Sequence, residues 1–260
     1  MLEWDAGPPP SIRDIFEEAP VAEYESLPER FRLAWGPMFY RGRLDGSARV
    51  LIIGQDPAAS ENVARRVMVG GAGQRVQRYL EKLGITRSYV IVNAILYSIF
   101  GQFDSEMNAF MRRQSVAGWR NKLLDALAGP NIEAVIGVGR AARFVIENWP
   151  GAAAFENRTF SLIHPTARPE SLVLENWSSQ LAAIASCITP DADGNRELAP
   201  YPGPGFRDED VAPIPHRDLG FGMPRWMGRG NFAARFDPDE IPQAAVDSPT
   251  ILLLSRGQLG

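Results

Sequence analysis

The chain is expected to fold as a three-layer α/β/α sandwich on a central four-stranded parallel sheet, followed by a Pro/Gly-rich C-terminal extension. Three observations predict this. Short runs of β-branched and aliphatic residues at 49–53, 89–93, 133–138 and 159–163 have the length and composition of strands. Helical patterns fall between and after them, near 73–83, 116–127, 140–148 and 177–187. Strands that alternate with helices form parallel sheets covered on both faces.

The elements follow in order. Residues 1–48 are a lead-in, in which Pro8-Pro9-Pro10 precedes a helix start with Ser11 as a plausible N-cap. The first strand, Val50-Leu51-Ile52-Ile53, is apolar throughout and so reads as buried on both faces. Gly54 then permits a sharp turn and Pro57 ends the ladder, which holds Asp56 on a bend at the carboxyl end of the strand. The second strand ends in Asn93, and the fourth runs into His164-Pro165-Thr166. Beyond residue 190 the prolines at 200, 202, 204, 213, 215, 224, 238 and 242 break any long element. The expected division is therefore a domain over 1–190 and an irregular extension over 191–260 that packs on it. Phe221, Trp226, Phe232 and Phe236 are too apolar for a free linker, so 217–240 is expected to cross the core as a flap that protects Arg225 and Arg229 from proteolysis.

Composition narrows the function classes. At 45% hydrophobic and 22% charged residues, the chain is globular rather than disordered. No apolar run reaches the length of a membrane span, and Met1-Leu2-Glu3-Trp4-Asp5 lacks the basic start of a secretory signal; a cytoplasmic monomer is expected. With Cys187 as the one cysteine, neither an internal disulfide nor a multi-thiolate iron–sulfur cluster can form. His164 and His216 are the only histidines, and no metal or cofactor is expected. The net charge of −4 conceals an uneven distribution. Residues 49–190 hold 15 Lys and Arg against 11 Asp and Glu, so the acidic excess lies in the two ends and the middle is free to meet an anion.

In a parallel sheet the carboxyl ends of all strands share one edge, so Asp56, Asn93 and His164 can converge on one crevice. Singly, each has a simpler reading: a turn cap, a turn residue and a hydrogen-bonded surface histidine. Two glycine clusters lie near the same edge. Gly137-Val138-Gly139-Arg140-Ala141-Ala142 fits the G-x-G-x-x-A of dinucleotide-binding sites, and Glu156 stands roughly 20 residues on, where an acidic residue holds the ribose. Glu156 precedes the next strand instead of ending it, so close helix–sheet packing is the preferred role for these glycines. Val69-Gly70-Gly71-Ala72-Gly73-Gln74 lacks the Lys-Ser/Thr of a phosphate loop, yet can offer backbone N–H groups at a helix start.

Gly54-Gln55-Asp56-Pro57-Ala58 resembles the G-Q-D-P-Y-H motif of uracil-DNA glycosylases, and His164-Pro165-Thr166-Ala167-Arg168 is similar to their H-P-S-P-L motif. Arg65-Arg66-Val67-Met68-Val69-Gly70-Gly71-Ala72-Gly73-Gln74 looks like the R-P-F-V-G-x-A-G-Q segment of the iron–sulfur branch, without the cysteines. The resemblance covers about residues 49–185 in order. It implies hydrolysis of the N-glycosidic bond of deoxyuridine in DNA, leaving an abasic product, with the target nucleotide flipped from the stack. It also implies roles: Asp56 orients water, His164 stabilises departing uracil, Gly54, Gln55, Met68 and Asn93 bind the base, and Gly70, Gly71, Thr166 and Arg168 contact DNA. Several residues depart from the pattern. Ala58 replaces a tyrosine that blocks thymine's methyl, Met68 stands in for a base-stacking phenylalanine (which Phe100 or Phe103 would have to supply), and Arg168 replaces a wedge leucine. A dinucleotide-dependent enzyme using Gly137 and Gly139, and a DNA-binding module without turnover, are the alternatives.

Overall fold

A computed structural model describes residues 4–220. Strands β1 (Tyr40–Gly42), β2 (Val50–Gly54), β3 (Tyr89–Asn93), β4 (Ala134–Val138) and β5 (Thr159–Leu162) form one sheet in the order β1-β3-β2-β4-β5. The four parallel strands expected from the sequence are β2 to β5, paired in register from Val50↔Tyr89 to Gly54↔Asn93 and from Val135↔Thr159 to Val138↔Leu162. A fifth strand, β1, was not legible. It adds antiparallel to β3 through Tyr40↔Val92, and three residues are too few to show an alternation.

The sheet is covered on both faces. Consecutive side chains of a strand point to opposite sides. Leu51 and Ile53 accordingly enter one apolar cluster and Val50 and Ile52 the other. Helices α1 (Pro10–Glu17), α6 (Gln114–Leu127) and α7 (Arg140–Glu147) supply the first cluster through Ile12, Leu123, Leu124 and Val145. Helices α4 (Gly71–Lys82) and α8 (Glu170–Cys187) supply the second through Val76, Leu80, Val173, Trp177 and Leu181. This double coverage explains why β2, β3 and β4 are buried at every position, whereas only Leu162 is buried in the edge strand β5. Short helices α2 (Val21–Glu25), α3 (Ala59–Ala64) and α5 (Ser105–Met111) complete the set of α-helices among the described residues.

Ser11 does not cap α1. The helix begins at Pro10, with Pro9 in the cap position and no side-chain cap bond, because proline's fixed φ suits a first helical turn. Past residue 190 the chain stays on the domain as far as it is described. Tyr201 and Phe206 pack edge-on against Trp177, Ala212 N–H donates to the Gln74 carbonyl at 3.0 Å, and Lys82 meets Glu197 at 2.8 Å. Asp218, almost fully buried, reaches the sheet edge and pairs with Arg41 of β1 at 3.0 Å and Arg43 at 2.6 Å. The expected flap falls outside the described residues from 221 onward, as do Phe221, Arg225, Trp226, Arg229, Phe232 and Phe236. No described helix is long and apolar enough to cross a membrane.

Candidate active site

A cleft of 1210 Å³ opens at the carboxyl edge of the sheet, and Asp56, Asn93 and His164 all line it. The backbone after β2 first continues its pairing, with Ala94 N–H on the Gly54 carbonyl at 2.9 Å and Ile95 N–H on the Gln55 carbonyl at 3.0 Å. It then turns at Pro57. Asp56 is thereby aimed into the cleft, where its carboxylate accepts from Ile99 N–H at 3.3 Å and Gln55 Nε2 at 3.2 Å. Burial pushes its pKa up to about 6, with the nearby Glu61 charge adding to the rise and the two hydrogen bonds opposing it. A carboxyl group poised there is ionised at neutral pH yet still basic enough to hold and orient a water.

Asn93 sits on the neighbouring strand, in register with Gly54. Only 5% exposed, it has no hydrogen-bond partner for Oδ1 or Nδ2 among the described residues. A buried amide without partners costs about 1–3 kcal/mol per group, which leaves this one open to a hydrogen-bonding group in the cleft. Its place depends on Gly54: a Cβ there would lie 2.5 Å from Asn93 Oδ1 and 3.1 Å from Met68 Sδ. Met68, buried with a left-handed φ of 52°, lines the cleft at the same point. Phe100 and Phe103 do not take the base-stacking place. Phe103 is buried in the first core cluster, and Phe100 turns outward.

His164 follows β5. Its Nδ1 accepts from Thr166 N–H at 3.3 Å and lies 3.0 Å from the Thr166 hydroxyl. An Nδ1 that accepts a backbone N–H leaves the proton of the neutral ring on Nε2, which is then a donor. Burial lowers the His164 pKa, so the neutral ring prevails at pH 7. Gly139 gives the ring its room, since a Cβ there would press on His164 Cβ and Cδ2 at 3.3 Å and its φ of 93° favours glycine. Gly137 admits Ile146, whose Cδ1 would lie 2.8 Å from a Cβ at that position. Both glycines are thus explained by packing, and Glu156 is exposed ahead of β5 rather than at its end.

One carboxylate here was missed in the sequence. Glu61, 5% exposed, accepts from Val69 N–H at 2.8 Å and Gly70 N–H at 2.9 Å through Oε1, and from Ala58 N–H at 3.0 Å through Oε2. It ties the turn that carries Asp56 to the loop that carries Met68. Its position three residues after the N-cap is the spacing of a capping box, hidden because Ala58 stands where Ser or Thr would signal one. The consequence for the glycine cluster is a correction: the Gly70 N–H points inward to Glu61 and is not offered to a ligand, while the exposed Gly71 lines the cleft. Arg75, Arg140 and Arg143 also line it and were likewise not singled out beforehand. Thr166 is on the wall; Arg168 stands farther out, its side chain 75% exposed and 2.8 Å from Glu170. Among the described residues no group of His, Cys, Asp and Glu side chains is arranged to hold a metal.

Fold and site together define an α/β protein with a cleft at the carboxyl edge of its sheet, lined by a carboxylate, an amide and an imidazole. Residues 41–180 match the Uracil DNA glycosylase superfamily, and the chain belongs to that superfamily. Membership makes it a DNA-glycosylase-type repair protein that acts on DNA. A comparison with curated proteins finds no match.

Proposed function

We propose that the protein is a uracil-DNA glycosylase that hydrolyses the N-glycosidic bond of deoxyuridine and leaves an abasic site. The observation that carries this reading is the buried, unpartnered amide of Asn93 in the cleft. Uracil presents an acceptor at O4 and a donor at N3–H. Asn93 Nδ2 donates to the first and Oδ1 accepts from the second. Cytosine presents the reverse pattern and would leave both partners unsatisfied in a buried site.

The other two side chains then have complementary work. The C1′–N1 bond breaks with its electron pair leaving on the base, so the sugar becomes cationic and uracil anionic. Asp56 offsets the sugar charge and directs a water at C1′, and the water's proton passes to its carboxylate. The neutral His164 donates Nε2–H to the uracil oxygen, a preorganised dipole for developing charge. Gln55, Met68 and Gly54 shape the base pocket; Gly71 and Thr166 face the DNA backbone. Release of free uracil from an oligonucleotide containing one deoxyuridine tests the reading, and binding without release would mark a DNA-binding module instead.

Asn93→Asp is expected to lower uracil release by roughly 10²-fold and to admit some cytosine, because a carboxyl group accepts from the cytosine amino group. Parallel assays on uracil, cytosine and thymine in one oligonucleotide check this; unchanged discrimination removes Asn93 from base reading. The thymine arm also reports on Ala58, which lines the cleft without a ring to meet a 5-methyl group. A further expectation concerns the product. Arg168 can stack its guanidinium in the gap left by the flipped nucleotide and bind phosphate. Arg168→Leu should weaken binding to abasic duplex and flatten its salt dependence in gel-shift titrations at two salt concentrations; identical titrations leave Arg168 a solvated side chain.

A further inference from the structure

The rim of the cleft carries a feature that base excision does not use. Ile99 and Gly101 line the cleft, and between them Phe100 points outward, 41% exposed. It does not hang on a loose loop: Phe100 N–H donates to the Arg30 carbonyl at 2.8 Å, and Phe31 bridges Ile99 in antiparallel pairing. The Arg32 guanidinium carbon lies 4.2 Å from the Phe100 ring centre and 5.0 Å from that of Trp35. Arg65 reaches the same place from the end of α3, donating to the Trp35 carbonyl and, at 3.2 Å, to the Pro37 carbonyl. Helix α3 itself contributes Ala59, Ser60 and Glu61 to the cleft wall. The patch therefore joins two cleft-lining segments.

Among the described residues neither Arg32 nor Arg65 forms an ion pair, whereas the neighbouring Arg30 is held by Asp104 and Glu106. An acid does stand near, Glu25, which acts on Tyr97 beside Arg65. The Arg32 guanidinium stacked between Phe100 and Trp35, and the Arg65 guanidinium anchored beside them on backbone carbonyls, form with the exposed ring a surface for a base plus a phosphate. A base within a duplex has both faces covered by its neighbours. Only an unpaired, unstacked base can lie on an aromatic ring.

We propose that Phe100, Arg32 and Trp35, with Arg65, form a docking platform for an unpaired nucleotide of the substrate strand next to the extruded one. The base stacks on Phe100, and its phosphate meets Arg32 and Arg65. This rests on the reading of the cleft as a DNA base-excision site, and it gives the protein a preference for single-stranded over duplex DNA.

The test uses a fluorescent oligothymidylate without uracil and a uracil-free duplex, titrated with the full chain by anisotropy. Phe100→Ala is expected to weaken single-strand binding about 10-fold, the loss of one stacked base, and duplex binding no more than about 2-fold. Phe100→Trp retains the wild-type affinity and Phe100→Leu does not. Arg32→Ala lowers the slope of log affinity against log salt by about 0.7 on the single strand. Unchanged single-strand affinity in Phe100→Ala and Arg32→Ala overturns the proposal; so does an equal loss on both DNA forms, or a Phe100→Leu protein that binds like wild type. Because the probes contain no uracil, these outcomes are independent of base release, which is measured separately on the wild-type protein with a deoxyuridine oligonucleotide.

Discussion

Asp56→Asn is expected to fold, to lose about 10²- to 10⁴-fold of single-turnover activity, and to become more stable than the wild type at neutral pH. The two effects have one origin. Asp56 is held in a largely desolvated cleft that raises its pKa to about 6, so the folded protein keeps the proton more firmly than the unfolded chain does. A carboxyl group raised in this way favours the fold below about pH 4, and that contribution is lost as pH rises through about 6. Above pH 6 the ionised carboxylate therefore weighs against folding by roughly 2–3 kcal/mol. Asparagine removes that burden together with the charge proposed to act in the reaction. Thermal melts should show the variant ahead of wild type at pH 8 and level with it at pH 4. Wild-type activity should fall as pH drops below about 6, the range in which Asp56 protonates. Burial lowers the His164 pKa from its ordinary value, which favours the neutral ring. A mutant that retains full activity removes Asp56 from the chemistry, and one without the stability gain contradicts the burial of its charge.

The second large effect is structural and lies at the opposite sheet edge. Asp218→Ala is expected to destabilise the fold by about 3–5 kcal/mol, because it strands a buried arginine. Arg41 is fully buried, and its guanidinium contacts Asp218 at 3.0 Å and Gln77 Oε1 at 2.8 Å. Tyr89 also donates its hydroxyl to Asp218, and burial, followed by the Asp218 charge, drives the phenol pKa well above its ordinary value. Removing the carboxylate leaves the buried Arg41 with neutral partners only, Gln77 and Tyr89. Replacing both, as Arg41→Met with Asp218→Leu, should recover much of the loss, since the penalty belongs to the unpaired charge. Urea denaturation of the single and double variants reads this directly. Equal stability of Asp218→Ala and wild type would mean that the segment after 190 does not hold the sheet edge.

What the sequence disclosed follows from the reach of its signals. Asp56, Asn93 and His164 were legible as one group because parallel strands end on a common edge, and each residue directly follows or ends an apolar run. The glycines at 137 and 139 were legible as packing residues because the acidic residue of a dinucleotide site was misplaced. Long-range partners left no local pattern. Glu61 acts on N–H groups eight and nine residues away, and Asp218 meets Arg41 across 177 residues. Strand β1 is three residues long and exists because β3 offers an edge. Helix α3 follows Pro57 closely and has six residues, too few for a 3.6-residue period to show. The Gly70 N–H looked available for a ligand from sequence because nothing nearby in the chain revealed that Glu61 already accepts from it.

The reaction we propose for the cleft is scission of the bond between deoxyribose and uracil. It is tested most directly by a single-turnover assay with excess protein on an oligonucleotide containing one deoxyuridine, following free uracil and alkali-labile strands in wild type and Asp56→Asn. Wild type should release one uracil per strand and leave an abasic site at that position, and the variant should show the loss given above. Tight binding of the oligonucleotide by wild type with no uracil released would contradict it.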